Sequence, residues 1–175
     1  MRIAVIGIGN VLTGDDAVGP TVVRMLEAAY EAPDDVLVLD AGTPGLDLTA
    51  YLAGLEAAVL VDAVRAKGAP GDLRVYGREE LLSRPPALAT SPHDPGVREA
   101  LLHAQFMGVA PGTVRLVGVI PAQVETGIGL SAPVRAAVPA ALARVREELA
   151  ALGAPLRERV PPRDPDLWWE RPAGG

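Results

Sequence analysis

The chain of 175 residues is 49% hydrophobic and 22% charged, with a formal charge of -6; this is the size and composition of one compact globular domain. It contains no cysteine, which excludes disulfides, thiolate catalysis and Cys-type zinc sites and leaves His and carboxylates as the strong ligands for a metal. A net negative charge without a basic cluster gives little grip on a phosphate backbone, no run of about 18 apolar residues occurs, and residues 2–9 are too short for a signal peptide. The expectation is a cytoplasmic protein that binds neither nucleic acid nor membrane.

Residues 2–7, 36–41 and 57–64 are short apolar runs rich in Val, Ile and Leu, the pattern of interior parallel strands. Between them Val18, Val22, Val23, Leu26 and Tyr30 recur at helical spacing, and residues 46–55 form a second helical pattern. Strand, helix, strand, helix, strand is a doubly wound α/β order. A fourth strand is expected over 72–76, after the turn at 68–71. The link from Lys67 to Gly71 is too short for a crossover helix, so the chain reverses there and strand four runs antiparallel. A helix follows over 95–107, with Asp94 as N-cap and Pro95 at the first helical position, then a fifth strand over 113–121. Ser131 and Pro133 open a last helix, which carries Val134, Val138, Leu142 and Val145 and ends before Gly153. One domain over 1–153 is expected. Residues 154–175, rich in Pro and Arg and holding Trp168 and Trp169, read as a tail lying over the surface or disordered.

Strand one runs into Gly7, Ile8, Gly9, Asn10, Val11, Leu12, Thr13, Gly14, Asp15 and Asp16, which at first suggests a dinucleotide-binding turn. The third glycine of G-x-G-x-x-G would fall at Leu12, and two acids stand where a pyrophosphate would need a positive helix terminus. In one reading both acids cap the following helix; in the other, one suffices for that and the second faces the crevice at the strand's carboxyl end. Asp62 interrupts the most apolar stretch of the chain at the carboxyl end of strand three. Strands one and three adjoin where the winding reverses, which brings Asp16 and Asp62 towards each other; an Asp accepting backbone hydrogen bonds at a strand end is the plainer alternative. Of the two His residues, His103 lies on a helix and reads as a surface or partly packed residue. His93 lies in a loop between Pro92 and Pro95, just before that helix. Two carboxylates and one imidazole, with positions left for water or substrate, suit nickel, zinc or a similar divalent ion.

These blocks together resemble the hydrogenase maturation endopeptidases, which process the large subunit of nickel-iron hydrogenases. Gly7-x-Gly9-Asn10-x-Leu12-x-x-Asp15-Asp16-x-x-Gly19 is similar to the family's opening block, Asp40-Ala41-Gly42-Thr43-Pro44-Gly45 to its second, residues 59–64 to its third and Ser91-Pro92-His93 to its fourth; residues 118–131 are similar to the segment leading into its last helix. The resemblance covers about residues 1–150. It implies metal ligands at Asp16, Asp62 and His93, although many members carry Glu in place of Asp16 and Gly in place of Ala17. It also implies a three-layer α/β/α fold on a five-stranded, mostly parallel sheet in the order 2-1-3-5-4, with strand four antiparallel.

The implied activity is removal of a carboxyl-terminal extension from the large-subunit precursor once nickel is inserted, the nickel being carried by the substrate. Two mechanisms stay open: a metal that polarises the scissile carbonyl and activates water, or Asp16 and Asp40 acting as carboxylate acid and base. Asp40 is equally readable as a turn residue of the Gly42–Gly45 loop. A non-catalytic metal-sensing or maturation-escort module is the alternative from another class.

Overall fold

The computed structural model describes residues 2–88 and 96–171. Its strands are β1 (Ile3–Ile8), β2 (Tyr30–Glu31), β3 (Val36–Gly42), β4 (Ala57–Arg65), β5 (Leu73–Gly77), β6 (Ala87–Leu88), β7 (Thr113–Val119) and β8 (Arg157–Glu158). The helices are α1 (Val18–Ala29), α2 (Leu48–Leu52), α3 (Arg78–Ser83), α4 (Val97–Phe106) and α5 (Ala132–Ala151).

The main sheet runs β3-β1-β4-β7-β5, with β6 added to the end of β4. Its pairs are parallel except at the β5 edge and at β6. Numbered by the five expected strands, this is the order 2-1-3-5-4 with an antiparallel fourth strand. The reversal has the expected cause, a link between β4 and β5 too short for a crossover helix, in which Gly68 and Gly71 take positive φ.

Alternation along the strands divides the core. Ile3, Val5, Val59 and Val61 pack with α1 and α5 on one face, and Ala4, Ile6, Ala58, Leu60 and Val64 pack with α2, α3 and α4 on the other. β1 and β4 are buried on both faces, which is why β1 reads as an unbroken apolar run and β4 as one broken only by Asp62 before its last residue.

Several local expectations are corrected. The helical pattern at 46–55 resolves into a 3-10 turn over Gly45–Asp47 and only five residues of α2. Strand five stops at Val119, short of residue 121. α4 starts at Val97 after Gly96, whose N–H is accepted by Glu99 Oε2 at 3.0 Å; the expected cap Asp94 and first-turn Pro95 lie outside the described residues. α3 and the β2–β8 ribbon were not expected at all. Through that ribbon residues 157–163 close the end of α1: Arg159 N–H donates to Ala29 O and Arg163 N–H to Ala28 O, each at 2.8 Å. These bonds satisfy helix-end carbonyls that would otherwise need water. Further along, Trp169 is buried, Trp168 is half exposed, and Glu170 pairs with Arg135 of α5 at 2.7 Å.

Candidate active site

The turn after β1 explains its glycines without a nucleotide. Gly19 at the start of α1 lies so close to the sheet that a Cβ would meet Ile8 O at 2.2 Å and Val61 O at 2.4 Å. A Cβ on Gly9, whose φ is +143°, would meet Asp16 O at 1.8 Å. The glycines therefore let a helix start and a buried acid press directly against β1 and β4. Ala17 has φ -70°, a conformation open to any residue, so the lack of a glycine there costs the backbone nothing.

Asp15 and Asp16 are both fully buried, and neither caps α1, whose N-cap is Ala17. The capping reading is thus corrected, because a 3-10 turn over Gly14–Ala17 separates the acids from the α-helix. Asp15 instead accepts four hydrogen bonds from the segment between β7 and α5: Ala122 N–H at 2.8 Å, Gln123 N–H at 3.0 Å, Ser131 N–H at 2.6 Å and Ser131 Oγ–H at 2.8 Å. Sequence reasoning missed this role. Its one trace was Ser131, read only as a helix opener.

Asp16 Oδ2 accepts the N–H of Asn10 across the turn. Asp62 is 1% exposed and its Oδ1 accepts the N–H of Ala63 at 2.7 Å. Burial pushes the Asp62 carboxyl well above the usual carboxylate range, and the Asp16 charge pushes it further, against the smaller lowering effect of the Ala63 N–H. The structure thus couples Asp16 and Asp62 at the carboxyl edge of β1 and β4. Their carboxylate oxygens are the donor type that divalent ions take, and among the described residues no third ligand joins them.

Asp40 shares that edge but faces the other way. It pairs in register with Gly7, which pairs in turn with Val61, so at about 4.8 Å per strand its Cα is roughly 10 Å from that of Val61. Alternation turns Asp40 to the α1 side, with Val36 and Val38, whereas Asp62 follows Leu60 and Val64 to the α2–α4 side. Asp40 Oδ1 accepts Gly42 N–H at 2.9 Å, and its Oδ2 is 3.8 Å from Arg24 Nη2. His103 lies away from this edge, with Nδ1 3.3 Å from Thr49 Oγ1 of α2.

His93 lies outside the described residues, among which no group of three or more His, Asp or Glu side chains is placed to hold a metal. The residue at which the described chain breaks off before it, Leu88, pairs with Val64, two positions beyond Asp62.

The chain is similar to known proteins over most of its length. A family model described as hydrogenase maturation protease matches residues 20–148. The hydrogenase 2 maturation protease of Escherichia coli K12 is 41% identical over 165 residues, which cover 92% of this chain and 96% of that protein. The solved hydrogenase maturating endopeptidase HybD from E. coli superposes with a TM-score of 0.83 at 37% identity, over 92% of this chain and 99% of the other. The [NiFe] hydrogenase maturation protease HybD from Thermococcus kodakarensis gives a TM-score of 0.66 at 26% identity, over 86% and 99%. No described helix is long and apolar enough to cross a membrane. These matches place the chain in the hydrogenase maturation protease family, whose members are peptidases.

Proposed function

We propose that this chain is the endopeptidase that removes the carboxyl-terminal extension of a nickel-iron hydrogenase large-subunit precursor after nickel insertion, working in the cytoplasm. The observation that carries the reading is the buried Asp16–Asp62 pair at the carboxyl edge of β1 and β4, in a chain of this family.

Asp16, Asp62 and His93 are the residues that would hold a divalent ion, either the nickel of the substrate or a resident ion such as zinc. From Leu88 to His93 is five residues, a reach of up to about 17 Å, and Leu88 starts beside the strand that carries Asp62. A bound metal supplies Lewis acidity, polarising a carbonyl and acidifying a water. The chain's own part is to hold the carboxylates in place through the Asn10 and Ala63 N–H groups. Hydrolysis adds the water oxygen to the scissile carbonyl carbon, breaks the C–N bond and moves a proton to the leaving amine. Asp16 can take the water's proton and return it to the amine. Asp40 is a third carboxylate at this edge; to serve as the acid–base partner of Asp16 it must exchange its Gly42 and Arg24 contacts for substrate.

The test is incubation with nickel-loaded and nickel-free precursor, followed by mass spectrometry. The proposal expects shortening of the loaded form only, and loss of that shortening in His93→Ala with the fold retained. A precursor that stays intact with the wild type while binding it would leave the escort module as the answer.

A further inference from the structure

Two exposed apolar side chains stand on the two loops tied to the acids that follow β1, Leu12 on the turn bonded to Asp16 through Asn10 and Ile128 on the segment bonded to Asp15. Leu12 is 52% exposed and Ile128 is 62% exposed. Scattered exposed apolar residues are ordinary, but these two are held in register by the backbone. Gly127 N–H donates to Leu12 O and Gly14 N–H to Gly127 O, both at 2.9 Å, which forms an isolated parallel bridge between Thr13 and Gly127.

Both sides of the bridge are fixed from beneath. Asp15 binds the Ala122, Gln123 and Ser131 backbone on one side, and on the other the Asn10 side chain accepts Leu12 N–H at 2.9 Å. Asn10 is also the residue whose own N–H is accepted by Asp16, so a single residue links the acid to the turn that carries Leu12. Rigid, solvent-facing apolar groups beside a reactive site pay little ordering entropy when a ligand covers them. The exposed pair Phe106 and Met107 lies at the end of α4, on a different loop with none of these bonds.

We infer that Leu12 and Ile128 form an apolar lip that receives an apolar side chain of the precursor segment flanking the bond to be cut, and so determine substrate binding at the Asp16–Asp62 site. The inference rests on the functional reading above and commits to that precursor as the occupant. Asn10 ties the Leu12 turn to Asp16 and the Thr13–Gly127 bridge sets Ile128 beside that turn, so a peptide reaching Asp16 from this side crosses the lip.

The experiment measures steady-state processing of nickel-loaded precursor by the wild type, by the double variant Leu12→Ser with Ile128→Ser, and by Phe106→Ser. A lost apolar contact of this size changes kcat/KM by about 10-fold to 100-fold. The expected result is a fall of that size in the double variant, carried by KM, with an unchanged melting temperature and with Phe106→Ser behaving as wild type. An unchanged KM in the double variant overturns the inference while leaving the functional reading intact. A wild type that shortens no precursor removes the functional reading and the inference with it. Sedimentation of the protein alone covers the remaining occupant: a wild-type dimer dispersed by the two substitutions would give the lip to a second copy and overturn the proposal.

Discussion

Asp15 and Asp62 are both buried, and the structure treats them oppositely. Asp15 receives four hydrogen bonds, from two backbone segments brought together for the purpose. Asp62 accepts the N–H of the next residue and lies within the field of a second acid, Asp16. A carboxylate ringed by donors is a structural tie, because its charge is offset where it stands. A carboxylate buried beside another is a cost that folding alone does not require. The difference separates the acid that builds the loop from the acids proposed to act on the precursor, a distinction invisible in the adjacent letters Asp15 and Asp16.

The comparison breaks first if Asp15 is dispensable. Asp15→Ala strands three backbone N–H groups and the Ser131 hydroxyl, and should cost roughly 3 kcal/mol or more; equilibrium denaturation showing a loss under about 0.5 kcal/mol would mean the tie is not structural. Gly9→Ala sharpens the other side. Its Cβ would drive into the Asp16 carbonyl at φ +143°, so we expect a loss of roughly 2 kcal/mol together with impaired processing, and a variant stable and active as wild type would contradict the packing account.

Asp62→Asn has the smallest effect and the opposite sign. Burial and Asp16 raise the Asp62 pKa, so the folded state holds a proton that the unfolded state has lost. Stability from this group is fully present below the unfolded pKa of about 4 and declines as pH rises towards the folded value. The metal-free Asn variant should therefore be more stable than wild type at neutral pH, by on the order of 1 kcal/mol, with the gap closing below about pH 4. Denaturation across pH in the presence of a chelator reads this directly; a gap that widened in acid would give the wrong sign. In the same range a divalent ion should bind more weakly as pH falls, because the ligands must be deprotonated.

The parallel core was legible because β1 and β4 are almost wholly apolar, and the antiparallel edge because the link from Lys67 to Gly71 is too short for a crossover helix. Asp62 was legible for the same reason, as the acid inside the most apolar of these runs. The Asp15 tie was not, since its donors lie more than a hundred residues away and three of the four are backbone groups without side-chain identity. Nor was the β2–β8 ribbon, whose two-residue strands are too short for periodicity to register. Asp40 shows the limit of topology: the shared edge was readable, but the face it points to depends on the register with Gly7 and on the partner Arg24.

The central claim is that the Asp16–Asp62 pair gives up stability to serve function, and one variant tests both halves. Asp62→Asn should be folded, at least as stable as wild type at neutral pH, and unable to shorten nickel-loaded precursor in a mass-spectrometric assay. Full processing by that variant would contradict the account.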